Sequence, residues 1–139
     1  MFSYCSSLIK APELPALIMQ NSCYFCMFEG CTSLTEAPEL PATKLAVNCY
    51  DHMFNGCTSL TKAPSVLPAL ECPSCCYLAM FNECTSLTSG PDLPATSIAI
   101  KDGFSYSYMY GNCPLSKPIK IKVKLEKRLR DEMFVGCFY

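Results

Sequence analysis

The residues best equipped for chemistry are the cysteines, twelve in a chain of 139 residues. Cys23–Cys26 and Cys72–Cys75 are both Cys-x-x-Cys, the spacing that clamps zinc or cycles between dithiol and disulfide. The two pairs stand 49 residues apart, about two periods of the repeat described below, so a shared tetrahedral site is not expected. "CPSCC", Cys72 to Cys76, is the local candidate for a redox pair, and the simpler reading is a variant start to one repeat. The single histidine, His52, has no second histidine to work with and reads as solvent-facing rather than as a ligand or base. Glu13, Glu39 and Asp92 recur in one slot, and a row of carboxylates could hold calcium. One carboxylate per repeat, without flanking Asp or Asn ligands, reads more simply as a solvated rim. The chain contains no Walker loop, Gly-rich dinucleotide turn or nucleophile elbow. The expectation is a protein that is not an enzyme and uses no metal or cofactor.

Composition bounds the rest. Half the residues are apolar and 17% are charged, which argues against disorder over most of the length. A net charge of −1 gives no global pull toward nucleic acid or acidic membranes. No apolar run reaches the roughly 18 residues a spanning helix needs. The first twenty residues carry Pro12 and Pro15 and no basic stretch before an apolar run, so they do not read as a secretory signal.

Position organises the cysteines. A Met-aromatic pair recurs at Met1, Met27, Met53, Met80, Met109 and Met133, in steps of 26, 26, 27, 29 and 24 residues. Four residues after each Met stands a cysteine: Cys5, Cys31, Cys57, Cys84, Cys113 and Cys137. Four before it lie Cys23, Cys49 and Cys76. Leu8, Leu34, Leu60 and Leu87 follow each Met by seven, and then comes "APELPA" or a variant of it. A unit cannot bury its own apolar stripe, so each is expected to be the packing partner of the next.

A period in the mid-twenties suits an α/β repeat solenoid, a leucine-rich-repeat stack of short parallel strands and short helices in about five units. Within a unit, "CTSLTEA" is compatible with a short strand, stopped by the prolines that follow. Leu45, Cys49 and Met53 fall at i, i+4, i+8 and predict a helix of two to three turns, with Thr43 as N-cap and Gly56 near the C-cap. Leu125, Leu129 and Met133 repeat that spacing in the last unit. The whole chain reads as a single domain, regular over 1–113 and degenerate and basic over 114–139. Because it opens and closes in mid-unit, it is expected to be a slice of a longer array, with an uncapped end that invites end-to-end self-association.

"MF.GC.SL" with its following "AP.LPA" resembles the BspA-like leucine-rich repeats of bacterial surface proteins, whose units carry "AF.GC.SL" before their strand. Cys31, Leu34, Cys57, Leu60, Cys84 and Leu87 occupy that slot. "APELPA" departs from the isoleucine-proline strand end usual in that family. The resemblance implies an extracellular or cell-surface location and a non-enzymatic role in adhesion to a protein or glycan. The alternative is a structural spacer in a larger surface protein. A small zinc or redox protein using the Cys-x-x-Cys pairs is a third reading.

Nine cysteines fall in the two repeat columns, where a straight ladder suits buried thiols better than disulfide geometry. Tyr24, Tyr50, Tyr77 and Tyr106 form a further column, readable as a half-buried ladder or as an aromatic binding surface. Lys117, Lys120, Lys122, Lys124, Lys127, Arg128 and Arg130 hold seven of the eleven basic residues. "KPIKIKVK" alternates Lys with Ile and Val, the period of an edge strand with one charged face. It serves either as a partial cap or as a patch for an anionic partner. Nucleic acid is not expected, since no aromatic residue interleaves with the lysines.

Overall fold

The computed structural model describes residues 1–99 and 104–137. Each repeat forms one coil of chain, and consecutive coils lie against one another. Parallel bridges join Lys10 to Glu36, Glu36 to Lys62, Ile18 to Lys44, Val66 to Asp92 and Leu93 to Ile121. Two strands long enough to label, β1 (Glu71–Cys72) and β2 (Ser97–Ile98), run parallel with Glu71 opposite Ser97. The "CTSL" segment expected to be extended is a turn, with Leu34 N–H donating to the Cys31 carbonyl at 3.1 Å and Leu60 repeating this on Cys57. Beyond it, extended pairing is confined to isolated bridges and the two-residue β1–β2 ladder. The prolines that follow bring no N–H to a ladder.

The segment predicted as a helix from Leu45 to Met53 is a chain of tight turns. Asn48, His52 and Gly56 have φ of 56°, 55° and 72°, and Ser22, Cys26 and Gly30 repeat the pattern one coil earlier. A left-handed residue every fourth position cannot belong to a right-handed helix. The hydrogen bonds alternate accordingly. Met53, Asn55 and Cys57 N–H groups donate three residues back, to the Tyr50, His52 and Phe54 carbonyls. Tyr50, His52, Phe54 and Gly56 donate instead to Cys76, Leu78, Met80 and Asn82 in the next coil, at 2.8–3.1 Å. Every second donor here therefore depends on a neighbouring coil, which ties local conformation to stacking. Thr43 caps no helix; its N–H donates to the Leu17 carbonyl. Among the described residues, only the last unit's spacing yields a helix, α1 (Lys127–Met133), with Met133 buried.

The core consists of same-position columns. Phe2, Phe28, Phe54, Phe81, Tyr110 and Phe134 stack ring on ring, with centroids 5.5–5.7 Å apart and interplanar angles of 4–9°. Leu34, Leu60 and Leu87 form a second fully buried column, and Met53, Met80 and Met109 a third. A polar column runs alongside. Asn82 Nδ2 donates to Asn55 Oδ1 at 2.9 Å, and Asn55 Nδ2 to Glu29 Oε1 at 3.0 Å.

Candidate functional site

Five cysteines have a role that residue type alone does not reveal. The thiols of Cys31, Cys57, Cys84, Cys113 and Cys137 donate to the carbonyls of Phe2, Phe28, Phe54, Phe81 and Tyr110, each in the preceding coil, at 2.7–3.1 Å. Cys5 holds the same slot in the first coil and is exposed. The thiol is small and apolar enough for the core and still supplies one weak donor to a carbonyl there. Desolvation pushes Cys57 and Cys113 up to about 12 and drives Cys84 well above its ordinary value. These groups stay protonated at neutral pH, the form that can donate, and they are poor nucleophiles. Native-state alkylation followed by mass spectrometry is expected to label Cys5 and Cys23, both exposed, well before Cys57, Cys84 and Cys113. Comparable labelling of the two groups in the folded chain would contradict the thiol column.

The tyrosine column is not the aromatic surface that its spacing allowed. Tyr50, Tyr77 and Tyr106 are 1–3% exposed and stack at centroid separations of 5.8–5.9 Å. Rings of neighbouring coils lie on both sides of Tyr50 and Tyr77 and on one side of Tyr106, and only Tyr24, in the first coil, is half-exposed. Burial raises the phenol pKa along the column, so these rings stay neutral.

Neither Cys-x-x-Cys is closed by a disulfide, and the Cys23 thiol donates to the Met19 sulfur at 3.7 Å rather than to Cys26. Cys72 is 2% exposed and lies 3.4 Å from the Tyr106 hydroxyl. Its thiol interacts with Cys76 rather than Cys75; the bond from Cys76 holds Cys72 below its ordinary pKa, while burial drives Cys76 up. Cys75 faces the Ser74 hydroxyl at 3.5 Å. Among the described residues, no group of three or more His, Cys, Asp and Glu side chains is placed to share a metal ion. His52 Nδ1 meets the Asp51 carboxylate, which is 6% exposed and whose pKa burial raises. In the carboxylate slot, Glu39 receives the Ser65 N–H and hydroxyl at 3.0–3.2 Å, and Asp92 pairs with Lys120 at 3.6 Å. Serine thus interrupts the acidic row.

The basic end remains open. Lys117, Lys120, Lys122 and Lys124 are exposed while Ile119, Ile121 and Val123 between them are half-buried. One Leu93–Ile121 bridge fixes this alternation, with Leu93 N–H donating to the Lys120 carbonyl and Lys122 N–H to the Leu93 carbonyl. On α1, Lys127 pairs with Asp131 at 2.6 Å and Arg128 with Glu132 at 3.9 Å. Among the described residues, Lys117, Lys122, Lys124 and Arg130 have no carboxylate partner. The segment from 117 to 132 sets seven bases against Glu126, Asp131 and Glu132, a local excess on a chain whose net charge is −1.

The polar column of Glu29, Asn55 and Asn82 is a feature that pattern reading missed. Its signal was a polar residue directly after the Met-Phe pairs at 27, 53 and 80. No helix is long and apolar enough to cross a membrane among the described residues. No protein-family model, curated protein or solved structure matches the chain.

Proposed function

We propose that this chain is a non-enzymatic protein- or glycan-binding module, built as a leucine-rich-repeat solenoid and working at a cell surface. The supporting observation is how its side chains are spent. Most of the Cys, Tyr and Asn groups that could do chemistry are engaged within the coil stack, while four cations at one end have no carboxylate partner among the described residues. Stacked coils offer an extended contact surface without a catalytic cleft. Lys117, Lys122, Lys124 and Arg130 are the contacts for an anionic partner such as a sulfated glycan, and the attraction weakens with salt because all four are exposed.

The test is binding of the folded chain to immobilised matrix proteins and heparin, beside a variant with all four residues changed to Glu. Reversal is expected to weaken heparin binding by about tenfold or more, roughly 1.4 kcal/mol, with circular dichroism unchanged. Binding indifferent to both charge reversal and salt would remove the basic end from the proposal. No binding to any surface would favour the spacer reading.

A further inference from the structure

The main-chain bonding between coils has a gap. The first and second coils are joined on this side by Thr43 N–H and Lys44 N–H to the Leu17 carbonyl, and by Met19 N–H to the Lys44 carbonyl. The third and fourth coils repeat this, with Thr96 and Ser97 donating to Leu70 and Ala99 to Cys72. The second and third coils do not. Between Ala37 N–H on Lys62 and Asn48 N–H on Ser74, no main-chain hydrogen bond crosses from one to the other.

The cause is local. The third unit is one residue longer and reads "APSVLPA", and Pro73 takes the place of Ala46. A cleft of about 910 Å³ opens here, with Thr43, Lys44 and Leu45 on one lip and Leu70, Glu71 and Cys72 on the other, and its lining continues onto Ser97, Ile98 and Ala99 of the fourth coil. On the second lip, the Leu70 and Cys72 carbonyls are taken by the fourth coil. Glu71, between them, turns its own N–H and C=O toward the gap. Among the described residues, the N–H groups of Leu45 and Leu70 and the Thr43 carbonyl have no main-chain partner, and the β1–β2 register leaves the Glu71 N–H and C=O outside that ladder. Lys44 and Glu71 are both exposed and form no ion pair with each other.

We infer that this seam binds an extended peptide of a partner protein, which enters as an added strand between the second and third coils. This rests on the binding reading above and gives it a site and a partner chemistry. A peptide backbone is a ligand that offers both N–H and C=O groups to the vacant positions on the lips. Lys44 and Glu71 supply opposite charges at the rim, which favours a segment carrying both signs. The volume lies within the range of formed ligand clefts, about 300–1,000 Å³.

The probe is an array of acetylated, amidated heptapeptides that alternate Val or Thr with Lys, Glu or Gln, tested on the full chain. Glu71→Pro removes the one unpaired donor at that residue without touching a bond to β2, and Glu71→Thr keeps the donor and removes the charge. Saturable binding is expected, weakened about tenfold or more by Glu71→Pro and within about threefold of the parent for Glu71→Thr. Amide exchange at Leu45, Leu70 and Glu71 is expected to be fast in the free chain and slowed by the bound peptide. Peptide binding unaffected by Glu71→Pro would overturn the inference. So would an array without binders on a chain that still holds heparin or matrix protein, and in that case the broader binding reading would stand. Glycan binding abolished by Glu71→Pro, without any peptide binding, would assign the seam to a saccharide instead.

Discussion

Phe54→Ala is expected to cost about 3–5 kcal/mol, the range for removing a fully buried aromatic side chain. Phe54 is 0% exposed and stacked at 5.5 Å on both Phe28 and Phe81. Each lost stacking contact adds about 0.5–1.5 kcal/mol to the transfer cost. The Phe54 carbonyl also accepts the Cys84 thiol at 3.1 Å, so a shift of the backbone around the void disturbs the thiol column too. Against a total stability of about 5–15 kcal/mol, the loss leaves a marginal fold. Phe2→Ala is the internal comparison. Phe2 is half-buried and has one stacked partner, Phe28, at 5.6 Å. Its loss should cost less than half as much in urea denaturation. Equal costs at the two positions would mean that stacking between coils is not what stabilises the column.

A double-mutant cycle at Gly90 and Tyr110 carries the second large effect. Tyr110 occupies the slot that holds Phe in the five other units, and its hydroxyl is buried without a hydrogen-bond partner. Gly90 stands where other units have Ala11, Ala37 or Ala63. A Cβ at Gly90 would lie 2.5 Å from the Tyr110 hydroxyl oxygen and 2.5 Å from Ile119 Cδ1. The missing methyl thus makes room for the extra oxygen. Tyr110→Phe is expected to raise stability by about 1 kcal/mol or more, since an unsatisfied buried hydroxyl costs about 1–3 kcal/mol. Gly90→Ala alone should cost about 1–3 kcal/mol through overpacking. Combined with Tyr110→Phe it should cost less but still destabilise, because Tyr110 Cε1 at 2.6 Å and Ile119 Cδ1 at 2.5 Å still crowd the new methyl, leaving a coupling within the roughly 0.5–3 kcal/mol seen for contacting residues. Additive energies in thermal or urea unfolding would show that the two substitutions are unrelated.

The stacking of coils was legible in the sequence because equal letters at equal spacing need one another. Phe28, Phe54 and Phe81, or Cys31, Cys57 and Cys84, fall into columns as soon as the period is counted. The local conformation of Leu45 to Met53 was not legible, for a definite physical reason. A turn that recurs every four residues presents i, i+4 and i+8 on one side just as a helix does, so apolar spacing cannot separate the two. The hints that could have done so are Gly30, Gly56 and Asn48, residue types that tolerate φ near +60°, with Asn48 eight residues before Gly56. Ala79 and Cys75 adopt the same left-handed backbone with no such hint, and there stacking overrides preference. The tyrosines misled through their hydroxyls, which suggest a wet edge, while Tyr106 satisfies its own on Cys72 inside the core. The acceptor of each thiol lies 29 to 32 residues away for Cys31, Cys57, Cys84 and Cys113, and it could be found only once the coils were placed.

The central structural claim is that each coil is the packing partner of the next, so that the 26-residue unit is the element of stability. The most direct measurement is thermal unfolding of a chain lacking residues 27–52, which joins Cys26 to Met53 and removes one whole unit. A control lacking residues 27–39 removes half a unit and breaks every column. The whole-unit deletion is expected to fold and unfold cooperatively with a lowered Tm, its Phe2 stacking on Phe54, while the half-unit deletion fails to fold. A half-unit deletion as stable as the whole-unit one would contradict the claim.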